Sequence, residues 1–293
     1  MTTQQIDGDL RQRLLKAQRN EITEYHIYRR LARAHKDPEN SQILEQIAED
    51  EKRHHDFWKE YTSEDADPDQ LKVWKYYVIS RLFGVTFGIK LMERGEEAAQ
   101  GTYGDIAQTL PPAEQIASDE DVHEDQLIDM IEEERLQYIG AIVLGLNDAL
   151  VELTGALSGM TFVLGETELI AATGLITGIA AALSMGGSSY LSFRSGHKEG
   201  SPLKGAAYTG GAYILTVIFL VLPYFLFQSI YLGLGLMLVN AIIIIALFNY
   251  YLSIAKDQPF WPQFLEMGAI SMGISLLTFG IGYFIRQVFG VEV

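Results

Sequence analysis

The uneven distribution of charge constrains this 293-residue chain more than any other feature of its sequence. Residues 1 to 135 hold 30 acidic and 17 basic side chains, whereas residues 136 to 293 hold only 8 and 5. From residue 139 onward the apolar runs are long enough to cross a bilayer, which takes about 20 apolar residues per helix. We therefore predict a water-soluble domain over 1–135 and a membrane domain over 136–293.

The membrane domain is predicted to contain five spans with short connections. Cytoplasmic loops carry the excess of Lys and Arg. If the N-terminus is cytoplasmic, Arg286 is the only Lys or Arg near the ends of the spans that falls on the far side. Val293 is expected on that side too. The first residues form no apolar signal-peptide core, which agrees with this orientation. The spans are expected near 139–164, 169–193, 204–228, 231–252 and 263–286, and the cytoplasmic basic residues are Arg135, Arg194, Lys198, Lys204 and Lys256.

The first domain is predicted to be an up-down bundle of four helices, so the chain belongs to the all-α class. Prolines separate the helices, because proline and the residue before it disfavour a continuous helix. They occur in Asp37-Pro38, Asp67-Pro68 and Pro111-Pro112. The third helix is so apolar that we expect it to be a buried core helix. The four helices are expected near 7–35, 39–61, 70–100 and 112–134.

Composition excludes several kinds of site. The chain has no cysteine, which rules out disulfides, thiolate metal sites and thiolate nucleophiles. A metal must then be held by carboxylate, imidazole, thioether or backbone oxygen. The net charge of -16 argues against binding to nucleic acid, whose phosphates would be repelled.

Glutamate and histidine recur across the four predicted helices in the order Glu, Glu-x-x-His, Glu, Glu-x-x-His. The i, i+3 spacing places each Glu and His on one helical face, close enough to hold one ion. Bundles with a di-iron carboxylate site need this combination. A solvated charged face is the alternative, and the alternation across four helices favours the metal site. The candidates are Glu21 or Glu24, Glu51 with His54, Glu93 with Glu96 or Glu97, and Glu120 with His123.

The other four histidines are weaker candidates for metal ligands. His26, His35 and His55 are expected to be exposed helix residues, and His197 is expected to lie in a loop.

Residues 10 to 134 resemble the rubrerythrin branch of the ferritin-like superfamily. The resemblance is carried by Glu21 with Tyr28 seven residues later, and by the two Glu-x-x-His pairs. It implies a ferritin-like bundle with a di-iron site in which Glu93 and Glu96 are third-helix ligands, Glu97 being a substitute. Rubrerythrins usually carry a cysteine-bound iron domain. This chain cannot, which argues against a peroxidase activity supplied by that electron relay.

An ionisable pair lies inside the first predicted span. Asp148 is about 13 Å along the helix from Ile139, close to the bilayer centre, and Glu152 follows one turn later. A carboxylate at that depth costs several kcal/mol unless it is paired, hydrated or bound to metal, so it indicates function. The alternative is a carboxylate kept protonated by burial.

The second span offers a soft ligand beside small residues. The thioether of Met185 suits transition metals better than magnesium or calcium, although most membrane methionines only pack. Two Gly-x-x-x-Gly motifs, at Gly155 and Gly174, indicate close helix packing or dimerisation.

Residues 136 to 290 resemble the vacuolar iron transporter family. The resemblance is carried by 145–150, by 184–187 with Tyr190-Leu191, and by 222–224. It implies a five-span dimer that moves ferrous iron, and often manganese, out of the cytosol against protons. We expect the protein to lie in the cell membrane, although the sequence leaves open whether the far side is the exterior or an organelle lumen. Asp148 and Met185 match the family's pathway residues.

Two departures from that family stand out. An acidic pathway position is Thr177 here, so Glu152 is expected to supply the charge. The family's acidic helical insert is also missing, and the N-terminal bundle stands in its place, as in the fused membrane-bound ferritins.

The sequence therefore predicts primarily a transporter, an exporter of ferrous iron with manganese as a second cargo, whose bundle captures iron. One alternative is a membrane-anchored ferroxidase or peroxide scavenger. Another is a regulator in which the bundle senses iron and gates the membrane domain.

Overall fold

The computed structural model describes residues 8–99, 134–196 and 200–289. Across these three ranges every regular element is a helix and no strand occurs. The all-α class predicted from the sequence is therefore confirmed. The chain divides into two units, Met1–Glu133 and Glu134–Val293.

The first unit contains four described helices. They are α1 (Gly8–Ala34), α2 (Pro38–Thr62), α3 (Gln70–Phe83) and α4 (Val85–Ala99). Aspartates begin two of them. Asp37 accepts hydrogen bonds from the backbone N–H groups of Glu39 and Asn40, and Asp69 does the same at the start of α3. The hydrogen bonds from the backbone N–H groups of Lys72 and Leu71 hold the pKa of Asp69 below its usual value. The predicted helix over 112–134 lies outside the described residues, apart from Glu134.

The single third helix predicted over 70–100 is wrong, because the structure breaks it at Gly84. This residue adopts a φ of 114°, which only glycine enters readily, and the helical backbone stops there. The side chain of Ser80 also lies so close to Gly88 that a Cβ on Gly88 would collide with it. α3 and α4 therefore pack against each other through small residues.

The expectation of a buried core helix is confirmed for α4 only. Val85, Phe87, Ile89 and Met92 of α4 are buried. In α3, by contrast, only Val73, Tyr76 and Ser80 are buried, and its other face is exposed. The core is completed by apolar residues of α1 and α2, which include Ile27, Tyr28, Leu31, Leu44 and Ile47.

In the described residues of the second unit, five long helices follow a single helical turn at Glu134–Gln137. Each is long and apolar enough to cross a membrane, in agreement with the five predicted spans. Short connections join them, and Gly165 ends the first with a φ of 67°. They are α5 (Ile139–Leu164), α6 (Thr167–Arg194), α7 (Pro202–Leu226), α8 (Ile230–Ala255) and α9 (Phe260–Phe289).

Small residues bring these helices together within the chain. A Cβ on Gly178 of α6 would lie 2.6 Å from a methyl carbon of Val217 in α7, and one on Gly159 of α5 would lie 3.2 Å from the carbonyl oxygen of Thr278 in α9. Close packing within the chain, one of the two uses predicted for the Gly-x-x-x-Gly motifs, is therefore confirmed.

We expect Gly145→Ala to destabilise the membrane unit. The added Cβ would collide with the backbone carbonyl of Thr209 on α7, which cannot move without displacing a helix. Overpacking of this kind typically costs about 1–3 kcal/mol. Gly140→Ala is the control, because nothing lies within 4 Å of that Cβ position. Heating in detergent followed by size-exclusion chromatography gives the melting temperatures. Equal values for the two variants would contradict the close contact.

Candidate metal centre and membrane carboxylates

Two carboxylate side chains and one imidazole side chain meet between α1 and α2. One ligand atom from each of Glu21, Glu51 and His54 lies within 4.8 Å of the others. Nδ1 of His54 is 3.8 Å from Oε2 of Glu21 and 4.0 Å from Oε2 of Glu51. Glu21 and Glu51 are only 2% and 3% exposed. Burying two carboxylates is costly without a compensating cation or strong hydrogen bonds, so the cluster has the character of a metal site.

Two of the three distances in the cluster are short enough for a shared transition-metal ion. Oxygen and imidazole ligands lie about 2.1 Å from such an ion, so two of them can be up to about 4.2 Å apart. Both His54 distances fall below that limit. The cluster forms because Glu51 and His54 are three residues apart on α2 and Glu21 faces them from α1.

Trp58 positions one of these carboxylates. Its indole Nε1 donates a hydrogen bond of 3.0 Å to Oε1 of Glu21, and the ring is fully buried. Trp58 was not predicted as a site residue from the sequence, although a signal was present. Trp58 follows Glu51 by seven residues, which is two helical turns, so the two share a face.

We expect Trp58→Phe to weaken metal binding at this cluster. Phenylalanine keeps most of the packing volume but removes the donor that orients Glu21, and loss of such a partner typically costs 10–100-fold in affinity. Titration of the purified protein with Mn²⁺ measures the effect. Trp74→Phe is the control, because Trp74 lies on the exposed face of α3. If Trp58→Phe binds as tightly as the parent, the hydrogen bond from Trp58 does not support the metal ligand Glu21.

Glu93 is held by α1. The hydroxyl of Tyr28 donates a hydrogen bond of 3.0 Å to Oε1 of Glu93, and Tyr28 is completely buried. This contact fixes α4 to the helix that carries Glu21. Of the two candidates on the first helix, Glu21 belongs to the three-residue cluster and Glu24 does not.

Four other predicted ligands have no described side chains, and the di-iron site therefore stays a prediction. Glu96 and Glu97 lie on α4, but their side chains are outside the described part, and Glu120 and His123 fall within 100–133.

The expectation that His55 is an exposed helix residue is wrong. It is 2% exposed, and Nε2 lies 3.3 Å from Nε2 of Gln18, while Nδ1 lies 2.9 Å from a carboxylate oxygen of Asp56. Polar partners on both sides of the ring make its burial tolerable. A hydrogen bond from Lys52 lowers the pKa of Asp56.

The other histidines are placed as follows. His26 and His35 are half-buried, and His197 lies outside the described residues. Partial burial lowers the pKa of His26, and repulsion by Arg29 and Arg30 lowers it further, so His26 is neutral near pH 7.

The membrane unit places two carboxylates one turn apart on α5. Asp148 is half-buried and Glu152 is exposed on the surface of the single chain. The hydroxyl of Tyr213 on α7 donates a hydrogen bond of 3.0 Å to Oε2 of Glu152, and Tyr213 is fully buried. α5 and α7 therefore share a polar contact within the predicted bilayer.

Tyr213 was not found from the sequence. It lies in an apolar span, and no local spacing links it to Glu152, which is 61 residues away. Only the packing of α5 against α7 brings the two together.

Met185 lies on α6, half-buried against the core of the membrane unit. Thr177, two turns earlier, is exposed, and its hydroxyl donates to the carbonyl oxygen of Thr173 in the same helix. Within the part of the chain that the structure describes, Glu21, Glu51 and His54 are the only group of three acidic or histidine side chains spaced for one ion. Asp148 and Glu152 form a pair.

The fold and these sites define a helical membrane protein whose first unit carries a buried carboxylate and histidine cluster. Comparison with protein families gives two matches: residues 12–103 match the Rubrerythrin family and residues 139–198 match the VIT family. The chain thus joins an N-terminal rubrerythrin-like domain to a VIT family membrane domain, which confirms both resemblances seen in the sequence. No curated protein and no solved structure matches the chain. The two family matches indicate metal-ion transport and iron binding.

Proposed function

We propose that this protein exports ferrous iron from the cytosol in exchange for protons, with manganese as a second cargo, and that its first unit binds iron and feeds or regulates the exporter. The observation that carries the proposal is the carboxylate pair of Asp148 and Glu152 inside a span, with Glu152 held by Tyr213. Carboxylates at that depth are expensive and mark ion pathways.

The chemistry of transport follows from the acid–base behaviour of these groups. Asp148, when ionised, would bind the incoming cation as it loses water. A proton arriving from the far side would neutralise the carboxylate and release the cation, so each carboxylate exchanges one proton for the metal. Glu152 would supply a second negative charge one turn away, and the thioether of Met185 would favour transition metals over magnesium and calcium.

The first unit is proposed to hold iron as a resident metal. Glu21, Glu51 and His54 would provide one set of ligands. Iron bound there would supply redox chemistry with oxygen or peroxide. Because this ligand set suits iron that reacts with oxygen or peroxide, a second candidate function is a membrane-anchored ferroxidase or peroxide scavenger. A simple anchor, however, has no need of Asp148 within a span. The complete di-iron set would add Glu93, Glu96 or Glu97, Glu120 and His123.

We also propose the domain boundaries, the orientation, the oligomeric state and the membrane. Residues 1–135 form the cytosolic iron-binding domain and 136–293 form the transporter. The N-terminus faces the cytoplasm, the C-terminus lies on the opposite face, and the protein works as a homodimer in the cell membrane. The excess of basic residues in the connections on one side supports the orientation.

Uptake by inside-out membrane vesicles tests this proposal. Vesicles from cells that make the protein should accumulate Fe²⁺ and Mn²⁺ faster than vesicles without it, and an outward proton gradient should increase the rate. A pH-sensitive dye inside the vesicles should report loss of protons during uptake. Uptake that ignores the proton gradient would contradict the exchange mechanism.

A further inference from the structure

One face of α3 exposes a continuous row of large apolar side chains, which we call the α3 stripe. Leu71 is 84% exposed, Trp74 is 54% exposed, and Val78 and Leu82 are 45% and 65% exposed. The four residues recur every three or four positions, so they line up along one side of the helix. A soluble domain rarely leaves such a row in water, and exposed apolar patches usually mark an interaction site.

Positive charge borders the α3 stripe on both sides. At 100° per residue, Lys72 and Lys75 fall on one flank and Arg81 falls on the other. The helix from Gln70 to Phe83 has no acidic residue, although the whole chain has a net charge of -16. The guanidinium of Arg30 on α1 adds to this field, 4.5 Å above the ring of Trp74.

This combination fits a negatively charged lipid surface. An apolar stripe that contains tryptophan and is flanked by Lys and Arg is the pattern of helices that lie in the membrane interface. Basic residues near anionic headgroups each contribute about a fivefold gain in affinity. A bilayer is also always close, because the same chain carries five membrane-spanning helices. A second copy of the chain would instead bring these like charges together.

We propose that α3 lies in the membrane surface. The α3 stripe enters the boundary between headgroups and acyl chains, and Lys72, Lys75 and Arg81 contact anionic phospholipid headgroups. The first unit is then held on the bilayer by α3 as well as by its covalent link to the spans. This inference holds whichever ion the protein carries.

A single spin label on the full-length protein tests the proposal. The chain has no cysteine, so Val78→Cys introduces its only thiol. After nitroxide labelling and reconstitution into phosphatidylcholine liposomes with a minority of phosphatidylglycerol, the label should be more accessible to oxygen than to a water-soluble nickel chelate. Glu45→Cys is the matched control, because Glu45 is an exposed residue of α2 and its label should show the reverse.

A second comparison tests the role of charge. Replacing Lys72, Lys75 and Arg81 together by glutamine should lower the equilibrium constant for immersion of the Val78→Cys label by about a hundredfold in the same liposomes. A label that is as exposed to the nickel chelate as the Glu45→Cys label would overturn the proposal. So would dipolar coupling between labels that persists in detergent, since it would mean that a second copy covers the α3 stripe.

Discussion

Asp148→Asn is expected to lower iron and manganese flux about a hundredfold or more in proteoliposomes. The amide is nearly the same size as the carboxylate, but it can neither carry the negative charge that offsets a dehydrated cation nor take up the proton that releases it. Losing that compensation inside a span is worth several kcal/mol, which corresponds to a factor of hundreds in rate or affinity. Because Asp148 is half-buried on α5, the change should leave the helix packing intact.

The comparison requires a matched acid-to-amide change elsewhere in the membrane unit. Glu168→Gln provides it, because Glu168 is exposed in the first turn of α6, at the end of the span. That variant should transport like the parent, and both proteins should elute as the same species from a sizing column. If Asp148→Asn also transports like the parent, Asp148 does not carry the cation and the proposed pathway is wrong.

Glu51→Ala is expected to strip metal from the first unit while leaving the membrane unit folded. Glu51 is one of two buried carboxylates in the cluster, and it is three residues from His54. Removing a ligand should weaken metal binding by at least as much as removing a supporting group, which is about 10–100-fold. Metal content per chain, measured by elemental analysis after dialysis, gives the result. Glu45→Ala on the exposed side of α2 should keep the parent's content.

Comparison of Glu51→Ala with Asp148→Asn also distinguishes the competing functions. If Glu51→Ala loses only iron oxidation and Asp148→Asn changes nothing, the protein is a membrane-anchored enzyme. If Glu51→Ala changes how transport responds to metal concentration, the first unit regulates the exporter. Unchanged metal content in Glu51→Ala would show that the cluster of Glu21, Glu51 and His54 does not hold the metal.

The helices were predictable because their signals are local. Long apolar runs define the spans. The aspartate cap and the proline of Asp37-Pro38 mark the start of α2. The break at Gly84 was not predictable in this way, since an isolated glycine is tolerated in many helices. The break is accompanied by the close approach of Gly88 to Ser80, a contact between α3 and α4 that no local signal predicts. The exposed face of α3 was not predicted either, because the apolar composition of this helix favours burial and only the packing of the bundle shows which face is covered.

In the candidate sites, contacts within one helix were predictable from spacing and contacts between helices were not. Spacing along α2 is enough to place Glu51 beside His54, and it could also have identified Trp58. Spacing says nothing about partners on other helices. The bond from Tyr213 to Glu152 and the burial of His55 against Gln18 both arise from packing between helices, so they required the structure.

Transport of ferrous iron by the membrane unit itself underlies the proposed function. Its most direct test is the initial rate at which Fe²⁺ enters liposomes that contain only the purified full-length protein, with bound iron per chain determined on the same sample. We expect saturable entry well above that of protein-free liposomes. Entry no faster than in protein-free liposomes, from a sample whose first unit is loaded with iron, would mean that the membrane unit does not transport Fe²⁺.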